Sequence, residues 1–205
     1  MIVTIGLVAV TALLSIQTMN DYSAKRRFMF NAYAIRHRKE WWRFFTHGVL
    51  HAGWEHLIFN MISLVFFGMA VENWFAMEFH PWGRLLFLLM YLLALVASSL
   101  FDFEKHKHNM HYNALGASGA VSAVIFSSIL IYPMGKITFF IIPNIPAWIF
   151  GIIYLAVSSI LAKRGQDNIG HSAHFWGGVF GLVFTAACEP SLVPALFDAI
   201  SGFGS

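Results

Sequence analysis

Cysteine is nearly missing from this chain of 205 residues, and the single Cys188 excludes an internal disulfide and a cysteine-based zinc site. Charge is scarce as well. Asp, Glu, Lys and Arg supply 11% of the residues, against about 25% in an ordinary soluble domain. Neither His-Glu-x-x-His nor Gly-x-Ser-x-Gly occurs, so the helical zinc-protease signature and the nucleophile elbow of soluble hydrolases are both excluded. No internal repeat, low-complexity tract or flexible linker interrupts the sequence.

Apolar length is what the chain has instead. Hydrophobic residues make up 58% of it, and the mean hydropathy is +0.66, so the bilayer is the expected solvent. A span needs roughly 17–25 mostly apolar residues. Six stretches meet or approach this: Met1–Met19, Glu55–Met77, Trp82–Phe101, Leu115–Pro133, Pro146–Ala162 and Ile169–Cys188. The expected fold is all-α, a polytopic bundle of six transmembrane helices forming one domain over residues 1–205. The first stretch lacks a basic n-region and a clear cleavage site, so it is read as a retained helix.

The net charge of +3 is concentrated in one loop, where Lys25, Arg26, Arg27, Arg36, Arg38, Lys39 and Arg43 stand beside Phe28, Phe30, Tyr33, Trp41 and Trp42. Basic and aromatic residues together suit the headgroup region, so Asp21–Trp54 is read as a membrane-surface insertion meeting lipid, not nucleic acid. Phe101–Asn113 and Lys163–Gly170 read as polar connectors. The segment between Pro133 and Pro146, broken twice by proline, is not helical and is placed at the interface.

Three polar clusters lie at the heads of the second, fourth and sixth apolar stretches: His56 with Asn60, Gly116-Ala117-Ser118-Gly119, and His174. Alternate spans run in the same direction, so all three clusters face one side of the bilayer at similar depth. A serine needs an adjacent base to become a nucleophile, and histidine is the usual one. Ser118 and His174 are each expected a few residues inside their helices, within about 10 Å of the surface. Gly177 with Gly181, and Gly119 with Ala123, form small-residue faces that let two helices approach closely; the fourth and sixth helices are expected to touch there and bring Ser118 to His174.

His56 and Asn60 are four residues apart on one helical face, and with the Ser118 N–H they supply donors for an oxyanion. Beyond the helix-head Glu55, the acids of the spans and their edges, Glu72 and Glu78, lie at the far end of the second, so a Ser-His dyad is expected without a third carboxylate. Taken singly, each polar residue could simply bond a neighbouring helix. His47 and His51 have the spacing of helical metal ligands, and His171 accompanies His174, but carboxylates are lacking around His174 and no metal site is assigned. His106, His108 and His111 read as solvated loop residues.

The ordered set Trp42-Arg43, His47-x3-His51-x4-His56-x3-Asn60, Gly116-Ala117-Ser118-Gly119 and Ala173-His174-x2-Gly177 resembles the rhomboid intramembrane serine proteases over nearly the whole chain. That resemblance implies Ser118 as nucleophile, His174 as general base and acid, and His56, Asn60 and the Ser118 N–H as oxyanion hole. It implies structural roles for Trp42, Arg43 and Glu72. It also implies single-pass membrane proteins as substrates, cut near the end of the span beyond a small residue, with no metal or other cofactor. Ser122 stands where many relatives have a tyrosine stacked on the catalytic histidine. Of the Lys and Arg residues, only Arg84 and Lys136 lie in connectors opposite the clusters, a bias that would put the site on the cytoplasmic side. The resemblance implies the non-cytoplasmic side of the cell membrane, and the reading follows it because most of the basic residues sit in the first loop. Two other functions remain open: a rhomboid-like binding or chaperone protein without catalysis, and a histidine-lined metal or solute carrier.

Overall fold

The computed structural model describes residues 1–139, 142–164 and 170–203. The chain opens with α1 (Ile2–Thr18) and a first loop folded into α2 (Tyr22–Phe28), α3 (Ala32–Arg38), α4 (Arg43–Thr46) and a 3-10 turn, His47–Val49. Then follow α5 (Trp54–Glu78), α6 (Gly83–His106), α7 (Ser118–Ile131), strands β1 (Lys136–Phe139) and β2 (Ile142–Pro146), α8 (Ala147–Arg164), α9 (His171–Cys188) and α10 (Leu192–Ser201). The helices α1, α5, α6, α7, α8 and α9 fall on the six expected spans, and the all-α membrane bundle is borne out. By length and composition α5 and α6 can each cross a bilayer, α9 with α10 forms an apolar pair bent by 114°, and α1, α7 and α8 are shorter apolar helices.

The outside of the bundle is apolar. On α1 the aliphatic Ile2, Ile5, Val10 and Leu13 are exposed, whereas Thr4, Thr11 and Ser15 are buried. Ile58, Ile62 and Phe66 on α5, and Leu85, Leu89 and Leu93 on α6, form exposed ridges at helical spacing. Such continuous apolar surface is what a lipid-facing helix presents. The chain is an integral membrane protein.

At the centre stands α7, with 12 of its 14 residues buried. It is apolar all round, the pattern of a helix surrounded by others. Its closest partner is α9, and the expected small-residue faces are where they meet. A Cβ added at Gly177 would overlap the carbonyl oxygen of Gly119 and lie 3.1 Å from its Cα. One added at Gly181 would lie 2.7 Å from the Cα of Ala123. One turn further, Ser127 Oγ and Thr185 Oγ1 are 2.7 Å apart. Backbones this close are held by packing and short polar bonds, the forces available in lipid.

Several expectations are corrected. The third apolar helix does not end at Phe101 but runs on to His106, carrying Asp102 inside the bundle with 5% exposure. Phe101–Asn113 is therefore only partly a connector. His106 is not simply solvated: its ring stacks on Tyr112 at 3.6 Å. The twice-broken proline segment is non-helical in its described residues, as expected, and its two strands pair antiparallel, with Lys136 opposite Pro146 and Ile137 opposite Ile145. Helix α10 was not foreseen. Ile169 and most of the connector Lys163–Gly170 lie outside the described residues.

At the far end of α5, Glu72 is fully buried and accepts the N–H groups of Val3 (3.2 Å) and Thr4 (2.8 Å) and the Thr4 hydroxyl (2.8 Å). A carboxylate thereby caps the donors and the positive end of α1.

Candidate active site

The first loop sets the backbone that leads to Ser118. Arg43 is buried and donates to the carbonyls of Met29 (2.7 Å) and Arg26 (3.2 Å) while pairing with Glu40. Trp42 is half-exposed and its carbonyl accepts from Phe45 and Thr46 at the head of α4. Behind these, Phe30, Ala32, Ile35 and Phe44 form a small core. From that core Phe30 pairs with Ala114 in both directions, N–H to carbonyl at 2.9 and 3.1 Å. The incoming segment is thus fixed four residues before Ser118.

Two histidines then take hold of the turn itself. The His47 carbonyl accepts the Gly116 N–H at 3.0 Å, and His51 Nε2 lies 3.5 Å from the Ala117 N–H. His51 Nδ1 is 2.8 Å from Ser15 Oγ, which donates its one hydrogen to the Val49 carbonyl. The serine can therefore only accept from Nδ1–H, leaving Nε2 as the acceptor of a neutral imidazole. Burial, with the charges of His56 and Lys25 adding to it, holds His51 down from 6.5 to about 3. Burial, partly opposed by backbone hydrogen bonds, holds His47 down to about 4. These two residues do not share a helix, since His47 opens a 3-10 turn and His51 lies beyond it. Among the described residues, no three His, Cys, Asp or Glu side chains gather where they could hold a metal ion.

Gly116 has φ +127°, a conformation glycine adopts without strain. It breaks the chain sharply, and α7 starts at Ser118 itself with Ala117 as N-cap. The expectation that Ser118 lies a few residues inside its helix is therefore wrong. The first residues of a helix have no carbonyl one turn back for their N–H groups, so Ser118 presents its hydroxyl together with orphan donors and the positive end of the helix dipole. His174 lies one turn inside α9, as expected.

Contacts around these two residues draw the clusters together. A Cβ on Gly119, next to Ser118, would sit 3.4 Å from the carbonyl of Ala173, next to His174. One on Gly116 would sit 2.8 Å from His56 Nε2, so that ring covers the turn before Ser118. Asn60 is buried one turn below, and its Nδ2 donates to the His56 carbonyl at 3.0 Å. An amide nitrogen carries two hydrogens, so one remains to offer.

Ser118 lines a cavity of about 40 Å³ with His47, Ser98, Ser99, Asp102, Gly116, Gly119, Gly170 and Ala173. That volume admits at least one water molecule, and polar walls favour it. Ser98 abuts Gly119 and lies two turns below His106, the end of α6, placing the cavity about 12 Å beneath that end. Asp102 was missed by sequence reasoning; it accepts the Ser172 hydroxyl at 2.6 Å. Its signal was the four-residue spacing from Ser98, which puts both on one face of α6. Tyr154 was also missed, and its ring lies 6.2 Å from that of His174.

A sequence profile of the Rhomboid domain matches residues 38–190. Rhomboid protease GluP of Bacillus subtilis (strain 168) is 34% identical over 148 residues, covering 72% of this chain and 26% of that protein. RHOMBOID-like protein 12, mitochondrial, of Arabidopsis thaliana is 27% identical over 154 residues, covering 67% and 44%. Putative rhomboid protease YdcA of Bacillus subtilis (strain 168) is 28% identical over 158 residues, covering 73% and 68%. The chain thus spans about a quarter of the first of these relatives and under half of the second.

Proposed function

The chain belongs to the rhomboid family, and from that premise we propose that it is an intramembrane serine endopeptidase that cuts single-pass membrane proteins near the end of their spans. Ser118 Oγ attacks the scissile carbonyl while His174 takes its proton. The tetrahedral oxyanion is met by the Ser118 N–H, His56 and the remaining N–H of Asn60. His174 then returns the proton to the leaving amine, freeing it and leaving the acyl group on Ser118. A water molecule, deprotonated by His174, attacks that ester; the acid departs and the proton goes back to Oγ. Trp42, Arg43 and Glu72 serve the scaffold. The reaction needs no metal or cofactor.

One observation carries this reading: Ser118 begins α7 at a water-sized cavity, on the turn of α7 that abuts the first turn of α9. A helix N-terminus stabilises negative charge developing beside it. The developing oxyanion gains from the orphan donors of that first turn and from the positive end of the helix. The polar lining also favours entry of the water that hydrolysis needs.

Co-expression with a panel of single-span reporter substrates tests the proposal. Wild type is expected to release a fragment cut near the end of the span, and Ser118→Ala is expected to accumulate folded but inert. Equal cleavage by both would remove Ser118 from the chemistry, and absence of cleavage across the panel would favour a binding role. The site is proposed to face the non-cytoplasmic side of the cell membrane; a Lys105→Cys variant, in a Cys188→Ser background, labelled only from the cytosol would reverse that.

A further inference from the structure

Tyr154, on a third helix, stands beside His174 and is linked to Ser118 through Ser122. Its ring centroid lies 6.2 Å from that of His174, with the planes tilted by 40°. Its Oη is 2.6 Å from Ser122 Oγ, and Ser122 Oγ donates to the Ser118 carbonyl at 2.8 Å. A serine hydroxyl has one hydrogen. With that hydrogen spent on the carbonyl, the phenol must be the donor to Ser122. Every donor in the series Tyr154 O–H, Ser122 O–H, Ser118 carbonyl is then used, and the series ties α8 to the first residue of α7.

The ring itself is well fixed. Phe126 on α7 meets it edge-on at 5.5 Å, and Phe150 lies one turn earlier on α8 at 5.8 Å. On another side of His174, the His171 ring stands nearly perpendicular at 5.8 Å. Aromatic centroids 4.5–7 Å apart attract with definite orientation. An imidazole turns about two side-chain torsions, and a base displaced by an ångström loses much of its effect. A braced ring beside it, keyed to the serine's own backbone, answers that problem directly.

We propose that Tyr154 is a positioning residue: its ring fixes the imidazole of His174 relative to Ser118, and its hydroxyl, through Ser122, sets where that ring stands. This rests on the reading of Ser118 and His174 as nucleophile and base. Tyr154 touches neither substrate nor the transferred proton. Its effect falls on the rate of proton transfer, not on substrate binding.

The test uses purified full-length protein in detergent, with fluorophosphonate labelling of Ser118 and separate kcat and KM for a single-span reporter. Tyr154→Leu is expected to slow labelling and lower kcat by about tenfold to a hundredfold, with KM unchanged. Tyr154→Phe keeps the ring and recovers most of that loss. Ser122→Ala resembles Tyr154→Phe, and the double variant is no worse than either, because both break one link. Should Tyr154→Leu fail to fold, Tyr154→Met carries the same comparison. Wild-type labelling in a folded ringless variant overturns the positioning role and leaves the catalytic reading standing, as does a loss confined to KM. Wild type that shows no Ser118-dependent labelling overturns the catalytic reading, and this inference with it.

Discussion

Gly177→Ala adds one methyl group to the tightest point between α7 and α9. That methyl would overlap the Gly119 carbonyl oxygen and stand 2.8 Å from its carbon and 3.1 Å from its Cα. Carbon atoms in ordinary contact are about 3.5–4.0 Å apart, and the overlapped oxygen is nearer still, so the helices must part by about an ångström or more. The obstacle is backbone on both sides and cannot swing away. Overpacking of this kind costs about 1–3 kcal/mol, and at roughly 2–4 °C per kcal/mol for a chain of this size the melting temperature should fall by several degrees. The larger effect is on chemistry. Gly119 follows Ser118 and Gly177 lies one turn after His174, so the wedge separates the two reacting groups. A misplacement near 1 Å costs about a hundredfold, or about 2.7 kcal/mol of barrier.

Fluorophosphonate labelling rate and thermal unfolding, measured on the same detergent sample, separate the two effects. Gly6→Ala is the control, because an added Cβ there meets nothing within 4 Å. It should label normally and melt no lower than wild type. Gly181→Ala, one turn deeper and 2.7 Å from the Ala123 Cα, should lose stability like Gly177→Ala but retain more labelling. Wild-type labelling and melting in Gly177→Ala would refute the claim that this contact holds the site together.

Acid should weaken the fold through its buried neutral histidines. His47 and His51 have native values of about 4 and about 3, below the 6.5 of the unfolded chain. The unfolded state therefore binds protons first; the contribution is complete above pH 6.5 and is lost as pH falls through the native values, at up to about 1.4 kcal/mol per pH unit for each. Unfolding free energy from pH 7 to 4 should fall less steeply in His51→Gln, and an unchanged slope would contradict the neutral assignment. Glu72→Ala strips the partners from Val3 and Thr4 and should cost about 1–3 kcal/mol, partly restored by Glu72→Gln, with labelling unaffected at low temperature; an unchanged melting temperature would show that the cap contributes nothing. Asn60→Ala should lower kcat by about a hundredfold or more with KM preserved, and a loss confined to KM would place Asn60 in substrate binding.

Much of the architecture was legible because lipid leaves few options. The six apolar stretches became helices, and the pairs Gly119 with Gly177 and Ala123 with Gly181 could be matched from spacing alone. The break before Ser118 was not legible as a helix start, because Leu115–Ala117 is as apolar as the helix it precedes. Its cause is the conformation of Gly116 and the carbonyl and imidazole that hold the turn, both of which depend on distant segments. Asp102 escaped because the polar residues after Phe101 imitate a connector, while the helix continues past them with its carboxylate turned inward. Nothing local to Ser122 says that a ring comes from α8. The buried hydroxyls of α1, Thr4, Thr11 and Ser15, occupy one face and could have been read as its inner side.

The most direct measurement is the site of covalent attachment. After brief exposure of purified protein to a fluorophosphonate, peptide mapping by mass spectrometry should find the adduct on Ser118, and His174→Ala should abolish it while remaining folded. An adduct on another serine, or attachment to Ser118 at the same rate without His174, would contradict the nucleophile and base assigned to this site.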